Sequence, residues 1–432
     1  YGSSDFACNL IWQMISLYLL YFYTNVMHLN AGAVSIMFLV TKFIDGISDL
    51  IVGFLIDKTN TRWGKSRPWI LFGAVPFGVT AVLAFSVPNI SQTGMLIYAY
   101  VTYILLSTSY TIVNIPMASI LPALSEDPHE RTVLASCRTF FSSVGSTVVS
   151  AFALTLVDKF GNGNEALGFR IVMILFGVIG CLVFFFCFFN TKERVTIKQE
   201  KVSLKANISC LLHNGPWKLF ALNIVWFFGG YVIQASAVIY YFTYVVQNTA
   251  MVQLVATITT LVPVVTNLLA PFFVKLTSKR NLMVGGSVVH AVGLLIIFFG
   301  GTNVPVLIGG AVIAAAGYGL KGSMHFAMQP DPVDYGEWKS GVNTAGTLSA
   351  VNGFIGKVGM AIASSIGAAL LQFGGFDATL TVQTTTAQSY ITAMYIWVPI
   401  VMNIASIITM LFYNLDKIYP QIIKELDERR AA

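Results

Sequence analysis

Apolar residues in this chain do not alternate with a period of two, and they do not fall on a narrow helical stripe. They come in runs of about 20 residues separated by short polar breaks. A helix needs about 20 such residues to cross the hydrocarbon core of a bilayer. A barrel would instead show alternating segments of about 10. The runs predict twelve membrane helices, at 5–28, 32–56, 68–88, 94–122, 132–157, 168–190, 217–246, 250–274, 282–300, 304–328, 342–373 and 388–415. The fifth and eleventh are the least clean. The longest polar break, "TKERVTIKQEKVSLKANISCLLHNG" at 191–216, divides them six and six.

Composition agrees with that pattern. Of the 432 residues, 56% are hydrophobic and 10% charged, against about 25% charged in a soluble domain. No signal peptide is visible, and because the chain opens at Tyr1 rather than Met a short preceding stretch is expected. Cys8, Cys137, Cys181, Cys187 and Cys210 form no CxxC pair. They read as small apolar residues and not as a disulfide or metal framework.

The net charge of +6 is explained by where it sits, without nucleic acid. Lys58, Arg62, Lys65 and Arg67 follow the second run, Lys192, Arg194, Lys198, Lys201 and Lys205 fill the middle loop, and Lys275, Lys279 and Arg280 follow the eighth. Lys417, Lys424, Arg429 and Arg430 crowd the tail, whereas only Lys159 and Arg170 lie in loops on the opposite side. Positive loops stay inside, so even-numbered spans should end in the cytoplasm with both termini there. Two six-helix bundles joined by a long cytoplasmic loop suggest an all-α major facilitator architecture, with substrate bound between the halves near the midplane. The expected divisions are a bundle at 1–190, a loop at 191–216, a bundle at 217–416 and a tail at 417–432. The halves share little obvious sequence. Gly and Pro are spread through the runs, as close helix packing requires.

Several polar groups lie inside these runs. Lys42, Asp45 and Asp49 follow i, i+3, i+7 on one face of span two. One Lys can neutralise one carboxylate, and the second calls for a proton or a metal cation. A self-satisfied ion cluster is the structural alternative. On span four Ser107, Thr111 and Asn114 make a stripe ahead of Pro116; such a stripe lines a site or joins helices. Asp5, Asn9 and Gln13 descend span one, Arg138 enters span five, and Lys357 sits inside span eleven. An ionisable group at such depth usually faces a cavity or a partner. Span ten carries Lys321, His325 and Gln329. Lys321, with His325 one turn away, could line a cavity wall, or pair with Asp331 or Glu337.

Taken together, "YGSSD", "YFYTNV", "FIDGISDLIVGFLIDKTNTRWGKSRPWILFG", "YTIVNIP", the Arg138 segment, "DPVDYGEWKSG" and Lys357 resemble the glycoside–pentoside–hexuronide:cation symporter family, which includes the melibiose and glucuronide permeases. The matches run in order through nearly the whole chain. The resemblance implies cation-coupled symport of a sugar or glycoside by alternating access, and no enzymatic activity. It assigns the coupling cation, H⁺ or Na⁺, to Asp45, Asp49, Ser48 and Thr111, with Asp45 and Asp49 as metal ligands if the ion is Na⁺. It assigns sugar binding to Asp5 and Arg138 and places Lys357 near the cation. Asn9, Gln13, Asn114, Lys321, His325 and Lys357 join the candidate sugar set from the polar faces described above.

Segments 57–69 and 331–339 resemble the family's cytoplasmic gating loops, with Asp57, Arg62, Lys65, Arg67, Asp331, Asp334, Tyr335 and Glu337 as their polar anchors. The chain departs from the melibiose permease at Asn114, an aspartate there, and at Ala118, a stacking tryptophan there. Lys42 replaces an arginine, and Leu50 stands where a proline is common. Its first helix is closer to the xyloside and glucuronide branches, which argues against an α-galactoside. The expected partners are a small-molecule sugar or glycoside, a monovalent cation and the lipid bilayer of a bacterial cytoplasmic membrane, with no nucleic acid and no cofactor. The chain is expected to be a monomer. Two rival functions are lipid or lysolipid transport within the same superfamily and Mg²⁺-dependent prenyl transfer. The second would need another Asp-rich motif facing the first.

Overall fold

The computed structural model describes residues 1–59, 61–124, 128–193, 211–274, 276–341 and 345–431. The side chains of Lys42, Asp57 and Ala118 lie outside the described set. Most of the middle loop lies outside it too.

The long helices are α1 (Ser3–Val26), α2 (Ala31–Lys58), α3 (Arg67–Ala84), α4 (Gln92–Ser119), α5 (Pro128–Gly161) and α6 (Glu165–Asn190). They continue as α7 (Gly215–Val245), α8 (Ala250–Val274), α9 (Lys279–Gly300), α10 (Val304–Ala327), α11 (Ala345–Phe373) and α12 (Thr385–Leu411). Among the described residues eleven helices are long and apolar enough to cross a membrane. The remaining long one is α2, whose 28 residues span about 42 Å but carry the acidic pair. Large apolar side chains such as Phe299, Leu268 and Phe189 stand exposed, as they do on a lipid-facing surface. Short polar side chains start these helices. Asn30, Ser91, Asn164 and Ser278 each accept the backbone N–H three residues ahead.

The chain forms two compact units. The first joins Tyr1–Gln199 with Ala235–Thr257 and Ser365–Ile391, and the second comprises Glu200–Gln234, Ile258–Ser364 and Thr392–Ala432. One end of α7, the start of α8 and the α11–α12 connection therefore belong with the first six helices.

A repeat that is faint in sequence is plain in the backbone. Helices α1 and α7 both finish in a π turn, Phe22–Val26 and Tyr241–Val245. The segments read "YFYTNV" and "YYFTYV", and two residues beyond each stands a non-glycine with positive φ, His28 at 53° and Gln247 at 57°. The same closing hydrogen bonds recur in both, from Met27 N to Phe22 O and from Val246 N to Tyr241 O. This is what parallel six-helix repeats of a transporter leave behind.

One expectation needs correction. The segment expected as a gating loop at 331–339 is a helix, Asp331–Ser340. Pro332 in its first turn, Asp331 and Asp334 at its positive end, and left-handed Gly341 at its close all favour that conformation. The tail is likewise a helix, Leu415–Ala431. The two are joined by Tyr419 Oη donating to Asp334 (2.7 Å) and Trp338 Nε1 donating to Glu425 (2.6 Å).

Candidate transport site

In the first unit α2 delivers two carboxylates one turn apart. Asp45 is 3% exposed. Ser107 Oγ, from α4, donates to Asp45 Oδ1 at 2.6 Å. One turn along, Thr111 Oγ1 donates to Asp49 Oδ1 at 2.8 Å and lies 3.4 Å from Asp45 Oδ1. Ser48 turns its hydroxyl proton to the Asp45 carbonyl at 2.8 Å, which leaves its oxygen lone pairs free to accept. Hydroxyl donors orient a carboxylate without cancelling its charge. The cluster is hard and oxygen-rich, the donor type that suits H⁺ or an alkali cation. Among the described residues no three His, Cys, Asp or Glu side chains converge as a metal site.

The second cluster of the unit lies on α1, α4 and α5. Arg138 Nε donates to Asp5 Oδ2 at 2.6 Å, with 23% and 13% of the two side chains exposed. Arg138 Nη2 reaches Asn114 Oδ1 at 3.4 Å. Asn9 donates to the Asp5 carbonyl and accepts from Ser146, and Gln13 donates to Ser150 at 3.3 Å. Close helix approach makes this possible. A Cβ on Gly145 would meet the Phe6 carbonyl oxygen at 2.7 Å, so glycine lets α1 and α5 nearly touch. Trp12 stacks on Tyr110 with centroids 5.2 Å apart. Thr111 and Asn114 sit one turn apart on α4, so one helix holds both the carboxylate pair and the arginine cluster.

In the second unit Lys321 does not pair with Asp331. Lys279 takes that carboxylate at 2.8 Å. Lys321 Nζ donates to Asn403 Oδ1 (2.7 Å) and His290 Nδ1 (3.0 Å) and lies 5.4 Å from the Tyr318 ring centroid. Gln234 Oε1 sits 3.0 Å from His290 Nε2, which makes Nε2 the protonated nitrogen and leaves Nδ1 to accept from the lysine. His290, Asn403 and Gln234 gave no signal in the sequence, since none has a charged residue one or two turns away on its own helix. Helices α9 and α10 meet backbone to backbone through Gly286, Gly293, Gly310 and Gly317, and this brings His290 and Lys321 together. His325 is fully buried, with neither ring nitrogen hydrogen-bonded among the described residues. It stacks between Phe227 (4.6 Å) and Phe220 (5.3 Å). Lys357 is half-buried on α11.

The loop before α3 is anchored by a residue that sequence reasoning missed. The Glu193 carboxylate accepts the backbone N–H groups of Lys65 (2.9 Å), Ser66 (2.8 Å) and Arg67 (3.2 Å). Arg67 donates to the Trp63 and Phe188 carbonyls and lies over the Phe188 ring. Arg62 covers Trp63, and Lys65 is exposed. Tyr335 packs on Trp338 at 6.0 Å.

The end of the first unit away from these loops is closed by the two repeated turns. Tyr240 Oη and Thr24 Oγ1 lie 2.6 Å apart, and Asn25 donates to Tyr244 Oη. Ser35 and Ser365 donate to each other's carbonyls at 2.7 and 3.0 Å.

This fold and these clusters are those of a membrane transporter. The solved xylose transporter XylE from E. coli, in an inward-open conformation, superposes with a TM-score of 0.67 at 13% identity, over 96% of this chain and 94% of that one. The nucleoside transporter NupG gives 0.69 at 11%, over 94% and 98%. At such identities the likeness speaks for the major facilitator fold alone. A family profile described as MFS/sugar transport protein matches residues 1–417. The chain belongs to that family, the glycoside–pentoside–hexuronide:cation symporters of the major facilitator superfamily, and is a multi-pass membrane transporter, not an enzyme. Curated relatives include the isoprimeverose transporter of Lactiplantibacillus pentosus, 38% identical over 100% of this chain and 91% of its own length. The inner membrane symporter YicJ of Escherichia coli is 33% identical over 96% and 91%. The glucuronide carrier protein homolog of Escherichia coli is 30% identical over 100% and 95%.

Proposed function

We propose that this chain carries a glycoside, with isoprimeverose as the first candidate, into a bacterial cell together with H⁺ or Na⁺. Asp45, Asp49, Ser48 and Thr111 hold the cation. Asp5, Asn9, Gln13, Asn114 and Arg138 hold the sugar in the first unit; within the second unit, Lys321, His325 and Lys357 are the candidate residues for an acidic sugar. The observation that carries the reading is the shared helix α4: Ser107 and Thr111 hold the α2 carboxylates while Asn114, one turn on, meets the Arg138–Asp5 pair. A cation that shifts the carboxylates shifts Thr111, and with it the turn that positions Asn114. Binding of either ligand then favours the other, as linkage requires.

The Lys/Arg loops face the cytoplasm in this reading, the termini lie with them, and the chain works as a monomer. The two bundles of the repeat alternate in access, with Arg62, Arg67 and the Asp331–Ser340 helix at the inner gate. Purified protein in proteoliposomes tests the whole. Uptake of labelled isoprimeverose is expected when an inward Na⁺ or H⁺ gradient is imposed, and only slow equilibration without one. Lipid scrambling with no glycoside uptake under either gradient would overturn it.

A further inference from the structure

The end closed by the two repeated turns carries a cavity of about 680 Å³ within the first unit. That lies inside the roughly 300–1,000 Å³ range of small-molecule sites. Its wall mixes apolar and polar groups, and the polar ones come from separate segments. His28 arrives from the α1–α2 loop, Gln92 and Thr93 from the start of α4, Gln372 from the last turn of α11, and Asp377, with the Phe376 ring beside it, from the α11–α12 connection.

Part of each polar group is spent on holding the wall. Gln92 Nε2 donates to the His28 carbonyl (2.9 Å), Gln372 Oε1 accepts from Gly32 N (3.1 Å), and Asp377 Oδ1 accepts from Thr379 N and Oγ1 (2.9 and 2.7 Å). The other half of each remains. Gln92 Oε1, Gln372 Nε2 and Asp377 Oδ2 have no hydrogen-bond partner among the described residues, and each belongs to a planar group already fixed in orientation. The Thr379 hydroxyl and backbone N–H hold the Asp377 carboxyl below the usual range, so it stays an anion. Between these groups lies the Phe376 ring, which meets Tyr240 and Tyr244 edge-on at 5.4 and 5.2 Å.

We propose that this cavity is a vestibular binding site for a neutral glycoside, distinct from the cluster around Asp5 and Arg138. Fixed acceptors and one fixed amide donor suit vicinal hydroxyls, and a ring beside them suits the C–H face of a pyranose. A carboxylate in the wall disfavours acidic sugars. The same ring braces Tyr240 and Tyr244, the residues that bond Thr24 and Asn25, so the site adjoins the closed gate and needs no opening of it. The site rests on the transport reading for its choice of ligand and on the assigned orientation for its access from outside.

Thr93→Cys, alkylated by a membrane-impermeant maleimide in intact cells, reports occupancy, with the native chain as blank. A Ser35→Cys, Ser365→Cys pair, oxidised to a disulfide, locks the gate; arrest of uptake confirms the lock. Isoprimeverose is expected to slow alkylation about two- to fivefold with the gate free or locked, and Gln372→Ala or Asp377→Ala should remove that protection. Protection that vanishes on locking, or is absent in cells that accumulate the sugar, would overturn the vestibule. Protection in cells that accumulate no sugar would support it and count against the transport reading instead. A cysteine alkylated only in opened cells would refute the orientation and the vestibule with it.

Discussion

The two units bury charge of opposite sign in opposite ways. In the first, Asp45 and Asp49 accept hydrogen bonds from Ser107 and Thr111, and Asp5 is ion-paired to Arg138. In the second, the ammonium of Lys321 is held by the Asn403 carbonyl oxygen, a His290 lone pair and the face of Tyr318. Hydrogen bonds from neutral groups orient a charge. A carboxylate or an ammonium in hydrocarbon is expensive, and each suits a counter-charge of opposite sign: a cation at the α2 carboxylates, an anionic group at Lys321.

Removing the acidic side of the comparison should have the largest effect. Asp45→Asn and Asp49→Asn keep the shape and accept the same hydroxyls but carry no charge. Accumulation of the glycoside is expected to collapse to a ratio of about one, while exchange down a gradient persists, because a ligand without differential binding shifts no equilibrium. Concentrative uptake by both variants in proteoliposomes would remove the cation from α2.

The basic side is sharpened by Lys321→Gln. If the ammonium meets substrate, an acidic sugar such as a glucuronide should lose about tenfold or more in apparent affinity, since a charged hydrogen bond contributes ~1.5–3 kcal/mol. Isoprimeverose uptake should change less than twofold. Equal loss for both sugars in a competition assay would make Lys321 a strut for His290 and Asn403 and nothing more.

Most of the fold was legible because a bilayer imposes runs of about 20 apolar residues, and those runs survive any detail of packing. The α2 carboxylates, Thr111, Asn114, Asp5 and Arg138 were legible because polar groups stand out inside such runs. What escaped was relational. "YFYTNV" and "YYFTYV" are too short to stand out in a chain this rich in aromatics, and the backbone turns reveal the repeat. The Asp331–Ser340 segment, dense in polar residues, resembled a loop until its partners on the Leu415–Ala431 helix appeared. His290 and Asn403 each have only a serine, Ser287 and Ser406, as a polar residue one turn away on their own helices. Glu193 lies about 130 positions from the N–H groups it binds.

The smallest effect sharpens the comparison at the two segments proposed as gates. In the second unit that segment is a helix ending at left-handed Gly341. In the first it is a tight loop over Glu193. Gly64 there has φ +105°, and a Cβ at that position would lie 2.5 Å from the Glu193 carboxylate carbon. Gly64→Ala therefore combines two penalties: about 1–2 kcal/mol for a side chain in left-handed backbone, and displacement of the carboxylate from the N–H groups of Lys65, Ser66 and Arg67. Gly341, which ends the Asp331–Ser340 helix at φ +70°, has open space where its Cβ would go. Gly341→Ala then carries the backbone penalty alone. Both substitutions should lower the unfolding temperature by about 2 °C per kcal/mol or less in a chain of this size, with Gly64→Ala the lower of the two. Glu193→Ala should leave room for the new methyl and bring the Gly64→Ala increment down to that of Gly341→Ala. An unchanged Gly64→Ala increment in the absence of Glu193 would show that backbone strain alone, and not the carboxylate, requires glycine in the loop.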